Sequence, residues 1–69
     1  MFKEQVYEIL KKTDANNESK ARTLDELFKA GTLPFGQVNM GLLELKKAGI
    51  IERIEEKGVG KYFIVKDIQ

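Results

Sequence analysis

The order of local signals along residues 23–65 most constrains the fold of this chain. Residues 23–26 read Thr-Leu-Asp-Glu, the spacing of a capping box, in which two side chains accept hydrogen bonds from the first backbone N–H groups of a helix. Residues 31–34 interrupt that helix with glycine and proline, and Gly49 follows a second helical stretch as its terminator. Residues 50–65 then favour two strands. The sequence therefore predicts a helix, a tight turn, a second helix and a hairpin.

Apolar residues at helical spacing predict three helices and their buried faces. We expect helix 1 over residues 2–12, helix 2 over residues 24–30 and helix 3 over residues 34–48. The buried side chains are expected to be Phe2, Val6, Ile9 and Leu10 in helix 1, Leu24, Leu27 and Phe28 in helix 2, and Val38, Leu42 and Leu45 in helix 3. Gly31 suits the left-handed residue that closes a helix, and Gly41 is expected to pack against helix 2.

The polar residues 13–22 are rich in turn formers, so they predict a loop that is the least constrained part of the chain. A very short strand is expected at the end of this loop. Residues 50–65 are rich in β-branched and aromatic residues and predict a hairpin, here called the wing, in which Gly58 and Gly60 permit positive φ. The predicted class is α+β, in the order helix 1, short strand, helix 2, helix 3 and two wing strands.

Side chains on the second wing strand should alternate between two faces. If Tyr62 and Ile64 face the core, Phe63 and Val65 face outward beside Ile54. An exposed apolar patch favours a covering partner. We therefore expect Ile54, Phe63 and Val65 to form the contact of a homodimer.

Composition limits the chemistry that this chain can perform. Its 69 residues make one small domain, and they include no cysteine and no histidine. No disulfide, thiolate zinc site or imidazole base is therefore available. The acidic pair Glu55 and Glu56 falls at the wing tip, where nothing would exclude water, and residues 58–60 precede no helix that could bind phosphate. We expect no enzyme activity, no metal, no cofactor and no small-molecule ligand.

The chain has no apolar run near the roughly 18 residues that a membrane span needs. Its first residues lack the pattern of a signal peptide. We therefore expect a cytoplasmic protein without a membrane partner. Twelve basic residues nearly balance eleven acidic ones. Nucleic-acid-binding domains usually carry a stronger basic excess, so the balance argues against tight non-specific binding to DNA.

The chain resembles the winged helix-turn-helix superfamily, as found in small bacterial and archaeal transcription regulators. The resemblance is carried by the capping box of helix 2, by the run Leu45-x-x-x-Gly49-Ile50-Ile51 between helix 3 and the wing, and by Gly58 followed by Tyr62-Phe63-Ile64. It covers residues 23–65, with helix 1 in the expected place. It implies that helix 3 enters the major groove of double-stranded DNA while the wing contacts the phosphate backbone.

Val38-Asn39 is also similar to the Val-Asn of winged-helix domains that bind Z-DNA. In that family the asparagine contacts phosphate, and a tyrosine follows at the position that is Leu43 here. The wing prolines of that family are absent as well, because the only proline is Pro34. These departures argue against recognition of left-handed DNA.

Helix 3 and the wing supply the candidate DNA contacts. Gln37 is the best candidate base reader, because a carboxamide can pair with adenine N6 and N7. Asn39 has the same chemistry, but its place on the flank of helix 3 favours a phosphate contact. Met40 points away from the buried stripe, whereas Phe35 is expected in the core. The expected DNA contacts are Gly36, Gln37, Asn39, Met40, Lys46, Lys47, Arg53, Lys57 and Lys61.

These observations favour a sequence-specific DNA-binding protein that acts as a small transcriptional regulator and homodimer. A module this small and weakly charged gains affinity from a second half-site. The alternative is a winged helix that contacts another protein in a transcription or protein-turnover assembly. Near-neutral charge, the apolar Met40 and Leu43 on helix 3, and the acids Glu44, Glu55 and Glu56 favour that alternative.

Overall fold

Residues 2–68, which the computed structural model describes, form three helices, a single 3-10 turn and a three-stranded antiparallel sheet. The elements are α1 (Lys3–Lys12), the 3-10 turn (Glu18–Lys20), β1 (Arg22–Thr23), α2 (Leu24–Ala30), α3 (Phe35–Lys47), β2 (Ile51–Glu56) and β3 (Val59–Ile64). The strand order is β1-β3-β2. The predicted α+β class and winged-helix element order are confirmed, and each predicted helix differs from its observed bounds by at most one residue at either end.

The core lies between the three helices and one face of the sheet. Its largest fully buried side chains are Val6, Leu10, Leu27, Val38, Leu42, Leu45 and Ile51. Apart from Ile51, a strand residue, these belong to the predicted helical stripes, whose burial removes apolar surface from water. Tyr7 is also buried, although its position beside the stripe did not predict it. Phe28 is 37% exposed, so its expected place in the core is wrong.

Helix α2 begins at the predicted capping box. The backbone N–H of Glu26 donates to Thr23 Oγ1 at 3.1 Å, and the backbone N–H of Thr23 donates to Glu26 Oε1 at 2.9 Å. Helix α3 ends at the predicted glycine. Gly49 has a φ of 76°, and its N–H donates to the Lys46 carbonyl at 3.0 Å. These two local devices fix the ends of the segment that contains both helices.

Gly31 and Gly41 serve close packing rather than the roles that the sequence indicated. Gly31 has extended backbone angles, with φ −117° and ψ −168°, so it does not close α2 in the left-handed conformation. A Cβ atom at position 31 would overlap the side chain of Ile9. A Cβ atom at Gly41 would overlap Val6, so α3 packs here on α1 and not on α2. Both glycines let their backbones approach α1.

The segment after α1 is anchored at several points, contrary to the prediction of a weakly constrained loop. Ala15 is fully buried, and its carbonyl accepts from the Ile64 N–H of β3 at 2.7 Å. The Arg22 guanidinium donates to the Thr13 carbonyl from Nε and Nη2, at 3.1 and 2.9 Å. Asp14, between these points, has a φ of 58°. Spacing alone could not reveal these contacts, because each joins residues from different elements.

The wing turns through Lys57 and Gly58, whose φ values are 54° and 80°. Two successive positive φ values are the mark of the tight type I′ hairpin turn. Gly60 is not among the residues with positive φ, so that part of the prediction is wrong. A Cβ atom at position 60 would instead overlap the Arg53 guanidinium. Gly60 therefore makes room for the arginine to lie across the hairpin.

The cross-strand register divides the wing into two faces. Ile51 pairs with Ile64 and faces the core, and Arg53 lies on this same face because side chains alternate along the strand. Phe63 lies on the other face, as predicted, but only 8% of it is exposed. Phe63 is therefore not the exposed dimer contact that we expected, whereas Val65 is exposed.

Candidate nucleic-acid interface

Helix α3 buries one apolar stripe and presents a second, shorter apolar ridge to solvent. Val38 and Leu42 are buried, whereas 52% of Met40 and 55% of Leu43 is exposed. At about 100° per residue, Met40 lies almost half a turn from Val38. Gly36 lies on this same outward side, and a Cβ atom there would meet no heavy atom within 4 Å. The outward side is therefore open, as the sequence predicted for Gly36 and Met40.

The two carboxamides of α3 lie on opposite flanks of the helix. Gln37 is four residues before Gly41, which packs on α1, and its side chain is half-buried on that flank. Asn39 is exposed on the other flank. The structure therefore makes Asn39 the more accessible of the two candidate base readers.

The Asn39 flank of α3 faces the wing. Asn39 and Lys46 are seven residues apart and share this flank. Lys46 lines a shallow recess together with Gly49, Ile51, Glu52 and Arg53. The recess brings the exposed Lys46 of α3 beside Arg53 of β2, although the two elements are joined through a sharp turn. Two cations predicted as DNA contacts thus border one concave surface.

Lys57 and Lys61 line one recess at the wing tip together with Glu56 and Val59, but they differ in exposure and in pairing. Lys57 is exposed at the turn. Lys61 lies on the face with Phe63, and its Nζ is 2.7 Å from Glu56 Oε1. The hydrogen bond between these two side chains, together with their opposite charges, raises the pKa of Lys61 and lowers that of Glu56. Lys61 is paired and turned away from α3, so it does not belong with the other candidate DNA contacts.

Two phenylalanines extend the apolar surface at the junction of α2 and α3. The rings of Phe28 and Phe35 are 5.4 Å apart at 68°, an edge-to-face arrangement. Phe35 is 49% exposed, so its expected place in the core is wrong. Its position at the first residue of α3, on the edge of the buried stripe, explains why its ring reaches Phe28 and not the core.

Of the three acids that the sequence placed near the interface, only Glu55 lies on the same face of the wing as Arg53. Glu44 lies on the α1 flank, where its Oε1 accepts from the Phe2 N–H at 3.1 Å. Glu56 pairs with Lys61 on the far face of the wing. Glu55 is two residues beyond Arg53 on the same face, and it offsets part of the positive charge there.

The helix–wing surface is the name used here for the open side of α3 and the adjoining wing. Its members are Gly36, Asn39, Met40, Leu43, Lys46, Lys47, Arg53 and Lys57. An uncharged centre on α3 is bordered by cations at the C-terminal end of α3 and on the wing, with the exposed Glu52 and Glu55 among them. This arrangement can bind a polyanion along the cationic border. The exposed side chains of Met40 and Leu43 can then contact the uncharged groups of the same partner.

Other kinds of site find little support in the part of the chain from residue 2 to residue 68. No three acidic side chains in this range come together to hold a metal ion. No helix in this range is both long and apolar enough to cross a bilayer. Comparison of the chain with protein-family models, with curated proteins and with solved structures finds no match.

Proposed function

We propose that this protein binds double-stranded DNA sequence-specifically and acts as a small transcriptional regulator in the cytoplasm. In this proposal α3 enters the major groove and the wing tip lies on the phosphate backbone. The observation that carries it is the helix–wing surface, where the exposed Asn39 and Met40 are bordered by Lys46, Lys47 and Arg53. A helix of 13 residues with one open side has the shape that the major groove admits.

The charges of the helix–wing surface set the expected strength of binding. Lys46, Lys47, Arg53 and Lys57 border the surface, and Lys61 is excluded by its pairing with Glu56. Four phosphate contacts correspond to a slope of about −3.6 in a plot of log affinity against log salt concentration. That is a modest electrostatic contribution, consistent with the nearly balanced charge of the chain.

Two copies of the protein on one site would compensate for the modest charge. The described residues span 29 × 24 × 20 Å. Half-sites one helical turn apart are separated by about 34 Å, so two copies fit side by side in successive major grooves. With Phe63 covered, Val65 and the half-exposed Ile54 are the remaining apolar candidates for contact between the copies.

Fluorescence anisotropy with labelled random duplex DNA tests the proposal. Binding should be measurable at low salt and should fall on the order of a hundredfold between about 50 and 200 mM salt. Lys57→Asn should weaken binding, whereas Lys20→Asn should leave it unchanged. Lys20 provides the matched control, because it is an exposed lysine outside the helix–wing surface. Absence of binding to any duplex at low salt would exclude the proposal.

A winged helix that contacts another protein is the second candidate. It is favoured by the exposed apolar side chains of Phe28, Phe35, Met40 and Leu43, which exceed what a purely polar DNA-binding face requires. This function predicts no affinity for DNA at any salt concentration. The same anisotropy measurement therefore separates the two candidates.

A further inference from the structure

We propose that the helix–wing surface recognises A·T-rich DNA, with Met40 and Leu43 contacting the methyl groups of thymine. This inference rests on the proposed function and adds the base composition that the surface reads. Thymine carries the one methyl group on the major-groove edge of the four bases.

The centre of α3 offers apolar contact. Met40 and Leu43 are three residues apart, so their side chains are neighbours on the helix surface, and both are about half exposed. Gly36, one turn before Met40, adds no side chain that would hold the helix away from the groove floor. Methionine is unbranched and adapts its shape to irregular apolar surfaces. A thymine methyl facing this ridge loses contact with water and gains contact with carbon and sulfur.

Residues 35–43 of α3 have no charged side chain. Arginine and lysine are the usual readers of guanine O6 and N7, and aspartate and glutamate accept from the cytosine amino group. A G·C pair opposite the ridge would therefore lose hydrogen bonds to water without replacement. Asn39, the exposed carboxamide beside Met40, matches the donor and acceptor of adenine instead.

The border of the surface makes duplex DNA the occupant that fits best. Lys46 and Arg53 line the recess between α3 and β2 together with Glu52, and Lys57 stands at the wing turn. The cations can complement the backbone phosphates beside a groove. In the major groove of an A·T tract, the apolar ridge would face the thymine methyl groups and Asn39 would face the adenine edge. The lysines would then lie beside the backbone phosphates.

Substitution of deoxyuridine for thymidine tests the inference, because it removes only the methyl group. Anisotropy is measured with one A·T duplex in its thymine and uracil forms, and with a G·C duplex of equal length. We expect the thymine form to bind most tightly, with a loss of about fourfold for each contacted methyl. The G·C duplex should bind more weakly than the thymine form.

Two variants connect the methyl effect to the ridge. Met40→Ala should reduce the ratio of thymine to uracil affinity toward one. Val59→Ala should leave that ratio unchanged, because Val59 is an exposed apolar residue on the face of the wing that carries Lys61, outside the helix–wing surface. Circular dichroism melts of both variants confirm that each is folded, as expected for exposed positions.

The outcomes distinguish this inference from the function on which it rests. Equal affinity for the thymine and uracil forms, or tighter binding of the G·C duplex, would overturn the inference and leave DNA binding intact. A thymine preference that Met40→Ala does not change would also overturn it. No binding to any of the three duplexes would remove DNA binding itself and favour a protein partner.

Discussion

Gly41 of α3 lies so close to Val6 of α1 that a methyl group at position 41 would overlap the valine side chain. It would also come within 2.9 Å of the Phe2 carbonyl oxygen, a backbone atom that cannot rotate away. The absence of a side chain at Gly41 therefore sets the distance between the helix proposed to enter DNA and the helix that supports it.

Gly41→Ala should destabilise the fold despite the better helix propensity of alanine. Overpacking in a core costs about 1–3 kcal/mol, whereas the propensity gain is at most about 1 kcal/mol. Urea denaturation should show a lower midpoint. Gly36→Ala is the control, because a Cβ atom there meets open space and should raise the midpoint. An unchanged or higher midpoint for Gly41→Ala would contradict the observed packing.

Asp14→Gly should stabilise the protein. Asp14 follows α1 with a φ of 58°, while the Ala15 N–H donates to the Leu10 carbonyl at 2.9 Å. A left-handed conformation costs an L-residue roughly 1–2 kcal/mol, which glycine avoids, so a gain of up to about 1 kcal/mol is expected after the added chain entropy. Thermal melts measure it. Asn16→Gly should give no gain, because Asn16 has no positive φ.

Lys57→Asn should separate the stability of the wing from its affinity for DNA. Asparagine before glycine is the preferred pair for a type I′ turn, so the variant should be at least as stable as the parent. It also removes one cation, so affinity should fall for all sequences alike and the salt slope should become shallower by about 1. Stability by thermal melt and affinity by anisotropy are read on the same sample. A loss confined to one base sequence would contradict a phosphate contact.

The pKa of Glu56, measured by titration, should show whether its side chain is paired with Lys61. The hydrogen bond from Lys61 lowers the pKa of Glu56, so the pair's stabilisation is present above the pKa of the unfolded chain. It is lost as pH falls through the lower pKa of the folded state. NMR titration should show Glu56 ionising below the ordinary range of a glutamate. Lys61→Met should raise the Glu56 midpoint toward that ordinary range, and an unchanged midpoint would mean that the pair does not persist in solution.

Local signals predicted most of the fold. The capping box at Thr23 and Glu26 and the glycine after α3 act through neighbouring backbone groups, so their effect can be read from spacing. The stripe that includes Val38 and Leu42 follows from helical period in the same way. These features require no knowledge of what packs against them.

Features that depend on a distant neighbour were predicted poorly. Phe63 was expected to be exposed because strand alternation places it outward, but only 8% of it is exposed in the structure. Lys61 was expected to contact DNA, and its pairing with Glu56 was not predicted, because the two residues face each other across a turn whose geometry is not evident from the sequence. The candidate site was therefore predicted at the level of the element α3, while the accessibility of Gln37 and the pairing of Lys61 required coordinates.

The buried Ala15 carbonyl, which accepts from the Ile64 N–H, joins the hairpin to the segment that follows α1, and α1 in turn carries α3. The two elements proposed to contact DNA are consequently linked through α1 by a backbone hydrogen bond and by close packing. Little motional freedom would remain to be lost when a duplex arrives, which lowers the entropic penalty of association. The same contacts fix the angle between α3 and the wing. A groove of the wrong width would therefore be rejected by its shape before any base is contacted.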